Sequence, residues 1–503
     1  MPDLPIPTLA TFAVYLAGML AIGIICYRNT NTISDFILGG RRLNSLTAAL
    51  SAHASDSSGW LLLGLTGWAY TSGLDALWMI VGLAIGIYLS WKFVAARLRT
   101  YTEQAGDALT ISSYFEHRFE DDSRVLRVVS AIIILIFYTL YVSSGLVAGG
   151  LLFGEVFGIE FVTAVAVSAI VIVAYTFIGG FLAVSYTDVV QGLLMVLALV
   201  AVPLIGLYAV GGFDALFSGI EAKEPALLTL GRQTGYDAAT GAWSAGGAFG
   251  LVSIVSSMAW GLGYFGQPHI LARFMGIRSA AQIKSARRIG MTWVIVSMLG
   301  ALLVGLVGIV FFEQPLGDPE KVFVNLTEAV LNPWIGGIML AAVLAAIMST
   351  ADSQLLVVSS VLTEDLYRTL VNSKASDAQL VWIGRLLIVA TAIVAFVLAL
   401  QGGSVLGLVG YAWAGFGAAF GPLILISLYW KGVTRHGALA GIVSGAAMVV
   451  LWKQIGTPFG LYEMVPAFVL SAVLVPVVSL MTQTTLPSAA ATARIDGFEA
   501  VEG

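Results

Sequence analysis

The chain has 503 residues, of which 58% are hydrophobic and only 11% charged, with a net charge of −5. Soluble domains carry about 25% charged residues, so the composition excludes a soluble globular protein and points to a polytopic helical membrane protein. The single Cys26 excludes an intramolecular disulfide and a cysteine-built metal site, and nothing in the charge balance suggests nucleic acid as a partner.

Apolar runs of about 20 residues predict some thirteen membrane spans. In chain order they fall at 8–27, 45–71, 75–96, 125–153, 161–181, 187–210, 248–268, 289–312, 333–360, 380–400, 404–430, 436–453 and 464–483. The first lacks a basic flank and a small-residue cleavage site, so it reads as a span rather than a signal peptide. Twenty of the 24 Lys and Arg fall in one alternating set of connections; only Lys223, Arg232, Lys321 and Lys453 fall in the other. The positive-inside rule therefore places the N-terminus outside and the C-terminus in the cytoplasm. Between the spans, two long connections are loops with some structure: 97–124 is polar with a short amphipathic helix expected near 112–119, and 211–247 is external and rich in Gly and Ala. The tail, 484–503, is polar and reads as disordered.

As these ranges are drawn, Lys92, Arg127, Arg385, Lys453 and Asp75 fall within a turn or so of a span end, and the acids set deeper or in the motifs of interest are Asp56, Asp188 and Asp352. A carboxylate at bilayer depth requires a cation, a proton or polar backbone, and is otherwise a protonated, hydrogen-bonded structural acid. Asp56 sits in Ser51-Ala-His-Ala-Ser-Asp-Ser-Ser-Gly-Trp60, which brings hydroxyls and a glycine to the middle of span two. Lipid supplies no hydrogen-bond partner there, so the reading is a broken helix forming half of an ion-and-solute site. Span seven contains Trp260-Gly-Leu-Gly-Tyr-Phe-Gly-Gln-Pro268, whose three glycines and proline oppose a continuous helix.

The two breaks lie five spans apart. Five is odd, so a five-helix unit repeated in tandem enters the membrane from opposite sides, the inverted-repeat arrangement of secondary transporters. Unwound backbone frees carbonyls for a small cation and N–H groups for a carboxylate. Span nine adds oxygen: Ala346, Ser349 and Thr350 share one helix face, with Ser353 one turn beyond Ser349 and Asp352 nearby. Ser and Thr in such positions also bond back to their own helix, so this segment by itself says little.

These segments resemble the solute:sodium symporter family, most closely its sodium/proline branch. The resemblance rests on Leu38-Gly-Gly-Arg41, Leu50 to Leu62, Ser185-Tyr-Thr-Asp-Val-Val-Gln-Gly192, Trp260 to Phe274, Met348-Ser-Thr350, Thr363-Glu-Asp-Leu-Tyr367 and Tyr411-Ala-Trp-Ala-Gly-Phe-Gly417. It implies an all-α fold of the leucine-transporter type, with inverted five-helix repeats in spans two to six and seven to eleven. The corresponding divisions are an N-terminal flanking helix and loop (1–44), a first repeat with its external loop (45–247), a second repeat (248–435), two flanking helices (436–483) and the tail.

The resemblance also implies roles. A sodium site maps to the carbonyls of Ala54, Ser57 and Ala346 and the hydroxyls of Ser349 and Thr350, with Asp56 as a sodium-linked acid. Ser58 and Gly59 match positions that affect both ligands; Tyr141, Trp260, Tyr264 and Pro268 match a proline pocket; Arg41 matches a gating residue at the inner mouth. Three positions depart from the branch. Ser57 stands where a bulky residue is common, His53 where glycine is, and Asp352 where some relatives have serine. His53 either tunes Asp56 or is a packed neutral ring. Asp188, Asp352 and Ser353 would form a second cation site for Na+ or a proton, or else are structural.

The function expected is import of L-proline with Na+ across the cell inner membrane. Another small solute (pantothenate, a monocarboxylate or a compatible solute) and a membrane sensor or scaffold are the alternatives. No P-loop, HExxH, GxSxG or His/Cys cluster suggests an enzyme.

Overall fold

In hydrocarbon every backbone polar group must be satisfied within the protein, and helices do this segment by segment. The computed structural model describes residues 6–27, 32–178 and 180–495, and among them is helical apart from turns and irregular connections, an isolated bridge and a hairpin. Among the described residues ten helices are long and apolar enough to cross a membrane, and two shorter apolar helices cover Phe161–Ala174 and Leu251–Phe265. The expected tally of thirteen is not matched one for one: Trp60–Gln104 runs the second half of span two together with span three, and spans five and seven contribute the two shorter helices.

Both predicted breaks are present. Span two is a helix Ser45–Ala54, a turn through 55–58, and a resumed helix whose regular part is Leu65–Ser72. Short polar side chains compete with the helical ladder here: the Ser55 hydroxyl bonds the Ala52 carbonyl (3.2 Å), and the Ser58 amide turns back to the Asp56 carbonyl (2.9 Å). Span seven runs as Leu251–Met258, tightens over Ala259–Phe265, and restarts at Pro268–Gly276. Pro268 is the first residue of the new half-helix, a place where its missing N–H has no consequence.

Glycine at 263 is required by close approach. A Cβ there would lie 1.9 Å from the Trp413 indole, which donates to the Trp260 carbonyl at 2.8 Å and so holds the break against span eleven, Val405–Tyr429. Span nine, Pro333–Ser360, is continuous and almost wholly buried; spans one, four and six pack against it.

Two expectations, the position of Asp188 and the state of the tail, are corrected, and the structure expected in one long connection is specified. The sixth helix begins at Phe181, so Asp188 lies two turns inside it rather than at its mouth. The 211–247 connection holds a helix (Phe213–Lys223) and an antiparallel hairpin, β1 (Arg232–Asp237) with β2 (Ala242–Ala248). The tail is ordered to residue 495: Ser488 bonds Glu120, the short helix Ala489–Ala493 receives the Tyr101 hydroxyl on Ala491, and Ile495 is buried. The remainder, 496–503, lies outside the described residues. The amphipathic helix expected near 112–119 is Ile111–Phe119, capped by Thr110.

Candidate functional site

The two breaks are joined by one contact. The Tyr264 hydroxyl donates to Asp56 Oδ2, tying the unwound part of span seven to that of span two. Oδ1 of Asp56 is buried without a protein partner. The Tyr141 hydroxyl, from span four, lies beside Ser58 and Asp56 without closing a hydrogen bond to either. Two polar groups that the protein leaves unsatisfied therefore face one locus, which is what a polar ligand requires.

The predicted ion ligands gather from spans two and nine. Ser349 Oγ lies 2.8 Å from the Ala54 carbonyl and 3.1 Å from that of Ala346. The neighbouring Thr350 hydroxyl is buried and unpartnered. Ser57, also buried, donates its amide to the His53 carbonyl (3.0 Å) in the same turn. Among the described residues no cluster of three His, Cys, Asp or Glu side chains could hold a metal. Neutral carbonyl and hydroxyl oxygens are donors that suit a hard monovalent cation, and the orphaned Thr350 hydroxyl is the atom such an ion would satisfy.

The remaining candidates separate. Trp260 stacks on Tyr462 (centroids 5.5 Å apart, 19° between planes) and lines a cavity of about 710 Å³ with Trp68, Tyr411 and Glu320. Gly59 packs against span four, where an added Cβ would meet Ala148 at 2.5 Å. Pro268 is set apart: it lines a different cavity of about 20 Å³ beside Arg273 and Met275. The large cavity lies on the face of the 318–320 and 403–404 loops, and of the predicted site residues Trp260 alone lines it.

Arg41 is a buried junction between segments distant in the chain. Its guanidinium bonds Asp107 (2.9 Å), Thr102 (3.1 Å) and the carbonyls of Met275 (2.8 Å) and Ala108 (3.0 Å). Leu43 and Ile277 form a backbone bridge next to it, so the start of span two is stitched to the end of span seven. This geometry supports a gate rather than a ligand. His53 turns away from Asp56: its ring stacks on Trp293, and Nε2 accepts from Trp91 Nε1 at 3.2 Å. It is a packed ring.

The reading that Asp188 lacks a basic partner is overturned. Arg273 Nη2 lies 3.1 Å from Asp188 Oδ2, and both side chains are fully buried. The error came from ending span seven at Pro268; read as a helix start, the same proline carries Arg273 into the membrane. The second cation site expected at Asp188, Asp352 and Ser353 thus already contains a guanidinium.

Sequence reading also missed Glu320. Its carboxylate accepts from Ser404 Oγ (3.1 Å) and the amides of Val405 (3.0 Å) and Leu406 (3.1 Å), capping span eleven from a loop 84 residues away. Burial pushes this carboxyl above its ordinary range. Losing a helix cap removes about 0.5–2 kcal/mol. Glu320→Ala is expected to lower the thermal midpoint of the purified protein without changing its Na+ half-saturation; an unchanged midpoint would show that the cap bears no load.

Residues 36–445 match the model of the sodium:solute symporter family. The sodium/proline symporter of Escherichia coli (strain K12) is 48% identical over 492 residues, 96% of this chain and 94% of its own. The high-affinity proline transporter PutP of Bacillus subtilis (strain 168) is 47% identical, over 96% and 99%. Among solved structures, a substrate-bound, outward-open Na+-coupled sialic acid symporter aligns at TM-score 0.76 with 20% identity, over 94% of this chain and 98% of that one. MhsT in complex with L-phenylalanine aligns at 0.51 with 15% identity, over 87% and 98%.

Proposed function

The chain belongs to the sodium:solute symporter family, and from that premise we propose that it imports L-proline together with Na+ by alternating access. It is a multi-pass membrane transporter of the leucine-transporter type, not an enzyme. The observation that carries the reading is the pair of broken helices bridged by Tyr264 and Asp56, with Ser349 on the Ala54 carbonyl one turn away. In the cell it resides in the inner membrane, N-terminus outside and C-terminus cytoplasmic, as the distribution of Lys and Arg favours. The inverted halves are 45–247 and 248–435.

Proline is a zwitterion with an apolar ring. Amides near Ser58 and Gly59 would take its carboxylate. Asp56 Oδ1 and the Tyr141 hydroxyl lie close to where its amine would sit, and Trp260 supplies an aromatic wall. Na+ held by Ala54, Ser57, Ala346, Ser349 and Thr350 would fix the unwound backbone that also meets the solute. Each ligand then raises the other's affinity, as linkage requires. A tenfold Na+ gradient supplies about 1.4 kcal/mol and 100 mV adds about 2.3 kcal/mol per charge. Together they sustain roughly 500-fold accumulation of a neutral solute.

Radiolabelled proline uptake into proteoliposomes, with and without an imposed Na+ gradient, tests the reading; gradient-independent uptake, or competition by pantothenate or a monocarboxylate in place of proline, would refute it. Trp260→Ala is expected to raise the half-saturating proline concentration about tenfold through loss of the aromatic wall, with Na+ binding in the absence of proline retained.

A further inference from the structure

We infer that the junction of spans three and eight beside Tyr88 is a binding site for an anionic phospholipid, its headgroup phosphate held between Lys92 and Arg287. Lys92 follows the helix Ala76–Leu89 of span three, and Arg287 lies near the start of span eight, Ile283–Phe311. Lys92 Nζ lies 6.0 Å from the centroid of the Tyr88 ring and 5.0 Å from that of Phe93, and the Arg287 guanidinium lies 5.1 Å from the Tyr88 centroid. Two cations thus converge on one ring from different helices. Among the described residues neither has a carboxylate partner, nor do Lys284 and Arg288, which are exposed on the first turns of span eight. By contrast, Arg41 pairs with Asp107, Arg99 with Glu103, Arg127 with Asp365 and Arg368 with Glu364. Like charges brought together repel, and an anion between them turns that repulsion into attraction.

The surface beyond the cations suits acyl chains. From Lys92 into the membrane, span three exposes Tyr88, Ile85 and Val81; span eight exposes Lys284, Arg288, Thr292, Val296 and Leu299. Both stripes follow helical spacing, and each changes from polar to aliphatic along its length, as a phospholipid does. A soluble anion would use only the polar end. Basic pockets between spans hold acidic headgroups, and tyrosine favours the membrane interface. The site also adjoins the broken helices. Lys92 and Phe93 belong to one turn of π-helix, Ser90–Val94, a form that recurs at functional sites. The same turn faces inward through Ser90, whose Oγ donates to the Tyr264 carbonyl at 3.1 Å, and through Trp91, whose Nε1 donates to His53 at 3.2 Å. A headgroup on Lys92 therefore bears on the turn that braces spans two and seven.

The test is lipid retention. Purified protein in detergent is given equal amounts of dioleoyl-phosphatidylglycerol and dioleoyl-phosphatidylcholine, and the lipids it retains are counted by native mass spectrometry. The wild type is expected to favour phosphatidylglycerol by about thirtyfold, the preference that two cations near one headgroup provide. Lys92→Gln combined with Arg287→Gln is expected to abolish the preference, and Lys92→Arg combined with Arg287→Lys to keep it. Lys374→Gln, which removes an exposed cation elsewhere on the same face, is also expected to keep it. No preference in the wild type, or full preference in the double glutamine variant, overturns the inference. So does loss of the preference in Lys374→Gln, which would mean a response to net charge alone. Displacement of phosphatidylglycerol by an equal concentration of potassium phosphate would mean a site for a free anion, and overturns it too. Should the double glutamine variant not fold, the single variants decide: each is expected to lower the preference about fivefold, and no change in either refutes the site.

Discussion

Replacing Tyr264 with phenylalanine is expected to reduce proline uptake at low substrate by about ten- to a hundredfold while the protein still folds. The substitution keeps the ring, which packs edge-on against Trp413 at 5.0 Å, and removes only the hydroxyl that donates to Asp56. A hydrogen bond to a carboxylate contributes about 1.5–3 kcal/mol, and each 1.4 kcal/mol is about tenfold. Because this bond joins the two broken helices, both half-saturation constants should rise together, proline measured at saturating Na+ and Na+ at saturating proline. Trp260→Ala, by contrast, is expected to move the proline constant alone. Were Tyr264→Phe to shift only one of the two constants, the bond would belong to one ligand's site and would not couple them.

Thr350→Ala is the second large effect. The hydroxyl it deletes is buried and has no protein partner, so its loss leaves no broken contact in the folded protein. The expected result is a Na+ half-saturation raised about tenfold or more, in line with the loss of one bond to a charged species, with an unchanged or slightly higher thermal midpoint in the absence of Na+. Ser349→Ala should shift Na+ activation as well, but it also removes the 2.8 Å bond to Ala54 and is expected to lower that midpoint. A normal Na+ response in Thr350→Ala would place the ion elsewhere.

Much of the fold and part of the site could be read in the chain before any coordinates. Ser, Asp, Gly and Pro inside apolar runs marked both breaks, and the broken segments are where those residues stand. The gathering of Ser349, Thr350 and Ala54 was implied by family resemblance rather than by spacing. Other features left no local trace. Trp260 meets Tyr462 across 202 positions, Glu320 caps a helix 84 residues away, and Arg41 reaches the Met275 carbonyl across 234. Arg273 did leave a signal, Pro268 at the first position of a helix, but the proline was read as an end instead of a beginning.

What the sequence alone determined is that this chain lives in a bilayer and that its helices fail at two places. Hydrocarbon offers no hydrogen bonds, so length, apolarity and helix-breaking residues act within one segment and need no knowledge of the neighbours. Only the tertiary structure decided what the exposed polar groups face: Tyr264 for Asp56, Arg273 for Asp188, and an unpartnered hydroxyl at Thr350. Those pairings depend on how separate helices pack, and packing brings together residues whose distance along the chain carries no information about their distance in space.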